Sequence, residues 1–280
     1  MRKHALTTLL LFSAIAANAQ VFEPLALARK IFSKERPTDI EHYVIGEYEG
    51  HPNGDDIKPG VALTFSLLRQ NEHEAVVGMT VKDSSGTGLD TYLFFEKDIT
   101  WKMSAFRALA MTGIIEQMKH LLESMTAQQV DSVINAARHN EEDKQPLFRS
   151  REEYNFLLGN ARLTLESDED IIRHFKAHQA AFERIKNRAM KQLKKMKTDE
   201  ETRTPLVKNL EREYHQLFIS SVSTGGGDMG SGINFLIGGI TDNTVGYLYV
   251  KDKKDLPEMS ASGVIMIKEI GNNWYIYKTT

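Results

Sequence analysis

Hydrophobic positions along the chain follow two periods in turn. Phe22, Leu25, Leu27, Ala28, Ile31 and Phe32 fall at helical spacing and predict a short helix over 22–36. Pro37 stops it, because proline cannot continue the amide ladder. Period two then sets in. Tyr43, Ile45 and Glu47 alternate with Val44, Gly46 and Tyr48, which predicts the start of a β-rich block. The loop 51–60 carries Pro52, Asn53-Gly54 and Pro59-Gly60, all turn chemistry. Strands are expected at 61–68, 75–81, 89–95 and 99–105, with 83–88 as the turn between two of them.

Helical spacing returns with Ile114, Ile115, Met118, Leu121, Leu122 and Met125. Thr126 and Gln129 form a capping box for a second helix through Val130, Val133, Ile134 and Ala137. Residues 140–145 are all polar and Pro146 follows, which marks a boundary between two halves. Beyond it, Ser150 with Glu153 and Ser167 with Asp170 are further capping boxes. Ile171, Phe175, Phe182, Ile185, Ala189, Leu193 and Met196 predict a long amphipathic helix over 168–197. A break at 198–205 precedes a shorter helix over 206–216. Strands are then expected at 217–223, 233–240, 245–251, 263–270 and 274–278, with turns rich in Gly, Asp and Asn. Helices segregated from meandering strands mean an α+β fold, with an N-terminal domain over 20–145 and a C-terminal one over 146–280.

The first residues change where this protein is expected to work. Arg2-Lys3-His4 precedes an apolar run from Ala5 to Ala16, and Ala17-Asn18-Ala19 is a small-x-small cleavage pattern. This is the layout of a signal peptide over 1–19, with a mature chain starting at Gln20. The run is shorter than the roughly 20 residues a bilayer span requires. The expectation is a soluble exported protein, periplasmic or secreted. The 280 residues contain no cysteine. That removes disulfides, thiol catalysis, thiolate zinc sites and a lipid anchor on cysteine. A formal charge of -3 offers no basic excess for nucleic acid. No Asn-x-Ser/Thr sequon occurs, which fits a bacterial exported protein.

Candidate chemistry is sparse. Asp170, His174 and His178 share one helix face at i, i+4, i+8 and could hold a divalent metal. Against this, His178 falls on the apolar stripe between Phe175 and Phe182, no HExxH pattern is present, and a core histidine explains the spacing as well. Gly225, Gly227 and Gly230 spell GxGxxG, but a strand follows where a nucleotide fold needs a helix. The segment 224–232 therefore reads as a hairpin loop. Arg184, Arg188, Lys191 and Lys195 form a basic stripe that could meet anionic lipid or another acidic surface. A solvated face suited to the helix's negative end is the competing reading. Asp55-Asp56 lacks the alternating oxygens of a calcium loop and reads as a turn. No Gly-x-Ser-x-Gly elbow marks a nucleophile. Tyr247, Tyr249, Tyr275 and Tyr277 alternate on the last strands, where they pack a sheet face or, on an open face, form a ligand platform.

Two resemblances add to this. The segment Ile99-Thr100-Trp101-Lys102-Met103 resembles the last strand of a cystatin-like or nuclear-transport-factor-like curved sheet. That likeness implies a sheet wrapped round a helix and used as a binding cup. The segment 169–175, with His178 and 182–185, resembles the opening helix of a set of uncharacterised exported bacterial proteins. Gly246-Tyr247-Leu248-Tyr249 and the segment 271–277 are similar to their C-terminal signature. This implies an exported domain and no particular activity. The resulting expectation is a non-enzymatic binding or interaction module without a cofactor. Its partner would be an unknown protein or small ligand of the envelope. The rival readings are an envelope hydrolase, metal-assisted through Asp170, His174 and His178, and a structural protein at the membrane surface.

Overall fold

The structure, a computed structural model, describes residues 22–35, 37–48, 54, 57–86, 88–139, 146–193, 210–224, 229 and 231–280. Residues 1–19, read as a signal peptide, and the polar run 140–145 lie outside these.

Helix α1 (Pro24–Ile31) opens the described chain, with Pro24 in its first turn, where a missing N–H costs nothing. Four antiparallel strands follow in the order β1-β2-β3-β4: Ala62–Gln70, Glu74–Lys82, Gly88–Lys97 and Trp101–Ala108. Alternation gives this sheet two apolar faces. Ala75, Val77, Met79, Leu93 and Phe95 bury Leu27, Ala28, Ile31 and Phe32 of α1. Val76, Tyr92, Phe94 and Ala105 point the other way, into the main core. The strand expected over 43–48 is reduced to one bridge between Val44 and Met103. Gly46 sits at φ +64° and the Tyr48 N–H donates to the Ile45 carbonyl, so the chain turns there instead of pairing on.

Helices α2 (Thr112–Ser124), α3 (Ala127–His139) and α4 (Arg151–Leu165) meet around Leu122, Val130, Ile134 and Phe148. The box at Thr126 closes both ways with Gln129. At α4 the Ser150 hydroxyl accepts the Glu153 N–H, while the Glu153 carboxylate reaches one residue further back, to the Arg149 N–H. Helix α5 (Asp168–Leu193) lies across a second sheet, and α6 (Glu211–His215) precedes that sheet's first strand. The strands are β5 (Ser221–Thr224), β6 (Ile233–Ile240), β7 (Asn243–Tyr249), β8 (Val264–Gly271) and β9 (Trp274–Thr279). Their spatial order is β5-β6-β7-β9-β8, with every pairing antiparallel.

Aromatic rings fasten α5 to this sheet. Phe182 is fully buried, 5.0 Å from the ring centres of both Phe175 and Tyr247 and 5.9 Å from Trp274. The opposite face carries Leu248, Val250, Tyr275 and Tyr277. Two clusters combine residues from before and after 140–145. The main core joins the outer face of the first sheet to α5 and the second sheet, and the helical cluster joins Leu122 to Phe148. Among the described residues no helix is long and apolar enough to cross a membrane.

Candidate functional site

The first turn of α4, helix α6 and the turn after it enclose a cleft of about 770 Å³, within the usual range for small-molecule sites. Phe156 of α4 and His215 of α6 stack with ring centres 4.0 Å apart and planes 17° from parallel. Phe218 lines a further side of the cleft. Its backbone is left-handed at φ +58°, a conformation an aromatic residue adopts only when its surroundings impose it. The surroundings are visible. The Phe218 carbonyl accepts from Asn160 Nδ2 at 2.8 Å, and the same amide donates to the Ile237 carbonyl at 2.5 Å. The ring lies over Gly159, where a Cβ would stand 2.1 Å from it. A glycine inside α4 thus makes room for the aromatic wall.

Polar groups ring this apolar floor. Among the described residues the lining holds three carboxylates, Glu152, Glu153 and Glu211, and one guanidinium, Arg212. Burial holds the His215 imidazole below its ordinary range, against the smaller upward pull of Glu211 and Glu153. His215 is therefore neutral at pH 7 and offers a flat uncharged face.

The three residues read as metal ligands have other partners. The Asp170 carboxylate accepts from the Ser167 hydroxyl at 2.6 Å and pairs with Arg173. His174 Nε2 lies 3.0 Å from the Leu217 carbonyl and His178 Nδ1 lies 2.9 Å from the His174 carbonyl, so each ring donates to backbone. The two imidazoles do come together, with centres 4.5 Å apart, where α5 departs from helical geometry at His178. Among the described residues no group of three or more His, Asp or Glu is arranged to hold a metal ion. Burial, and then His178, hold His174 below its ordinary range.

His174 and His215 together make a testable acid response. Unfolded histidines take up protons near pH 6.5, whereas these two do so only at lower pH. The stability linked to them is complete above about pH 6.5 and is lost as the pH falls through that value towards their folded pKa values. Urea midpoints should be flat on the alkaline side and decline below about pH 6.5. A double His174→Gln, His215→Gln variant should remove the histidine part of that decline. An unchanged profile in the variant would refute the assignment.

The basic stripe is partly neutralised. Glu213 of α6 takes Arg184 at 3.3 Å on one oxygen and Arg188 at 2.6 Å on the other. Lys191 is exposed, and Lys195 lies outside the described residues. Lys186 turns inward, 2.6 Å from Glu183 and 4.4 Å above the Tyr249 ring. Burial alone would raise the Glu183 carboxyl, but hydrogen bonds from Lys186 and from Trp274 Nε1 hold it below its ordinary value. The glycines 225, 227 and 230 also lie outside the described residues. The strands on either side of them pair antiparallel, Thr224 opposite Ile233. The four tyrosines divide between the two faces of the second sheet. Tyr247 donates to the Ile171 carbonyl at 2.8 Å under α5, while Tyr277, on the far face, donates to Asn234 Oδ1 at 2.9 Å.

A buried ionic cluster was not expected. Asp168, in the first turn of α5, lies 2.8 Å from Lys278 Nζ of β9, and both its oxygens accept from the Tyr92 hydroxyl, at 3.0 and 3.1 Å. The Asp168 N–H donates to Asp90 of β3 at 2.6 Å. The second Asp90 oxygen accepts from the Thr80 hydroxyl at 2.5 Å. Burial, then the Asp168 and Asp90 charges, push the Tyr92 hydroxyl well above its ordinary range. The phenol therefore stays protonated and serves as a donor. The cluster ties the first sheet to α5 and β9. Its only sequence trace is a carboxylate in an apolar strand and a lysine among aromatics. No family model, curated protein or solved structure matches this chain.

Proposed function

We propose that this is an exported, non-enzymatic binding protein whose ligand occupies the cleft between α4 and α6. The ligand class is a flat apolar molecule with one positively charged group. The observation that carries this reading is Phe218. Its left-handed backbone is kept by Asn160 and Gly159, and such strain persists at sites that use it. Phe218 and the stacked Phe156–His215 pair supply aromatic faces, which attract cations as well as flat rings. Glu152, Glu153 and Glu211 supply the opposite charge at the rim. Export rests on the pattern of residues 1–19.

Calorimetric titration with a naphthylmethyl ammonium, the matching alcohol and the matching carboxylate tests the site. The ammonium should bind tightest and the carboxylate weakest. Acid should weaken the ammonium once the pH falls below the ordinary histidine range, because a protonated His215 repels it. Tightest binding by the carboxylate, or no saturable binding by any of the three, refutes the reading. The mass of the chain recovered from the envelope should correspond to a start at Gln20.

A further inference from the structure

A second cleft, of about 550 Å³, lies on the far side of the first sheet, between α1, the turn Ile40–His42 and the β3–β4 hairpin. One wall is the indole of Trp101, at 2% exposure. Its Nε1–H has no hydrogen-bond partner among the described residues, whereas the other indole, Trp274, donates to Glu183 at 2.7 Å. A buried donor left unmade is costly, so this is a group for which a structure normally supplies an acceptor.

The charge around it is positive. Lys30 and Lys102 line the cleft, and Lys97 Nζ lies 5.3 Å from the centre of the Trp101 ring. Among the described residues Asp39 is the one carboxylate in the lining, and it is already engaged. The Tyr43 hydroxyl donates to it at 2.6 Å and receives a hydrogen bond from Lys30, also at 2.6 Å. That bond from Tyr43 holds the Asp39 carboxyl below its ordinary range. Lys30 also pairs with Asp39, at 3.8 Å, whereas Lys102 has no hydrogen-bond or ion-pair partner among the described residues. Aromatic faces of Phe22, Tyr43 and Trp101 complete the walls.

We infer that this cleft binds a small aromatic or apolar organic anion, whose oxyanion is held by Lys30 and Lys102 and accepts the Trp101 indole N–H. The cleft is independent of the one between α4 and α6 and asks for the opposite charge. Nε1 itself is shielded from solvent, so the acceptor enters by displacing part of the lining.

The two tryptophans make the test direct. In indole-labelled full-length mature protein, two Nε1–H resonances are assigned with Trp101→Phe and titrated with benzoate, phenyl phosphate and benzylamine. Benzoate or phenyl phosphate should move the Trp101 resonance saturably downfield and leave Trp274 in place, and benzylamine should do neither. A Lys30→Gln, Lys102→Gln variant, with its fold checked by an unmoved Trp274 resonance, should bind at least about tenfold more weakly, which is about 1.4 kcal/mol. The inference is overturned by a Trp101 resonance that does not move at millimolar anion or that moves equally with benzylamine. An unweakened double variant overturns it too, as does a bound water that remains the partner of Nε1 throughout.

Discussion

Replacing Lys278 with Met is expected to destabilise the protein by about 3–5 kcal/mol, because it leaves the Asp168 carboxylate buried without its counter-charge. The Lys278 side chain is 5% exposed and that of Asp168 is 12%. Water cannot take the place of the lost ammonium at such burial. Most of the cost is desolvation of the orphaned carboxylate, and the pair itself contributes little. A double Lys278→Met, Asp168→Asn variant should therefore regain most of the stability lost in the single one, since the carboxylate orphaned by the loss of Lys278 is itself removed. The carboxamide oxygen introduced by Asp168→Asn still accepts from Tyr92. Urea denaturation of the two variants measures both effects, and a single-variant loss below about 1 kcal/mol would show the pair to be solvated. Hydrogen exchange gives a spatial check. The cluster joins β3 to α5 and β9, so amides of β2 and β3 should lose protection in the Lys278→Met variant before those of β6 and β7 do.

Local order was largely legible in the sequence. The strand expected at 233–240 coincides with β6, and the box at Thr126 and Gln129 closes as read. Both depend on residues within a few positions of one another. Burial was less legible. Ile114, Met118 and Leu121 have helical spacing, yet they are 51%, 38% and 47% exposed, and only Leu122 of α2 is buried. Periodicity shows that a helix has an apolar side but not how much of that side a partner covers.

The sites were hardly legible at all. The expectation placed ligand contacts on a curved sheet or on the basic helix. The cleft proposed to bind ligand draws on Phe156 and, from a second and distant segment, on His215 with Phe218, and the ionic cluster draws on residues 90, 92, 168 and 278. Nothing in spacing joins such positions. One signal was available. Gly159 stands inside a helix, where glycine costs about 1 kcal/mol relative to alanine, and a residue retained at that cost marks a close approach. The approach is that of the Phe218 ring.

Phe218→Gly should separate stability from binding. An aromatic residue in the left-handed region costs about 1–2 kcal/mol, and glycine adopts it freely. Relief of that strain opposes the loss of ring contacts. The net loss of stability should then fall about 1–2 kcal/mol short of the 3–5 kcal/mol of a usual phenylalanine truncation. Binding of the naphthylmethyl ammonium should nevertheless fall by about 2 kcal/mol or more, roughly thirtyfold, because one wall of the cleft has gone. Gly159→Ala approaches the same wall from behind. Its Cβ would stand 2.1 Å from the ring, so Phe218 must swing away. Binding should fall comparably, with a stability cost of about 1–3 kcal/mol from overpacking. If Phe218→Gly costs as much as an ordinary core truncation and leaves the ammonium affinity intact, Phe218 is structural packing and the cleft is not the binding site. Loss of affinity at the reduced stability cost would instead tie the strained backbone to the ligand.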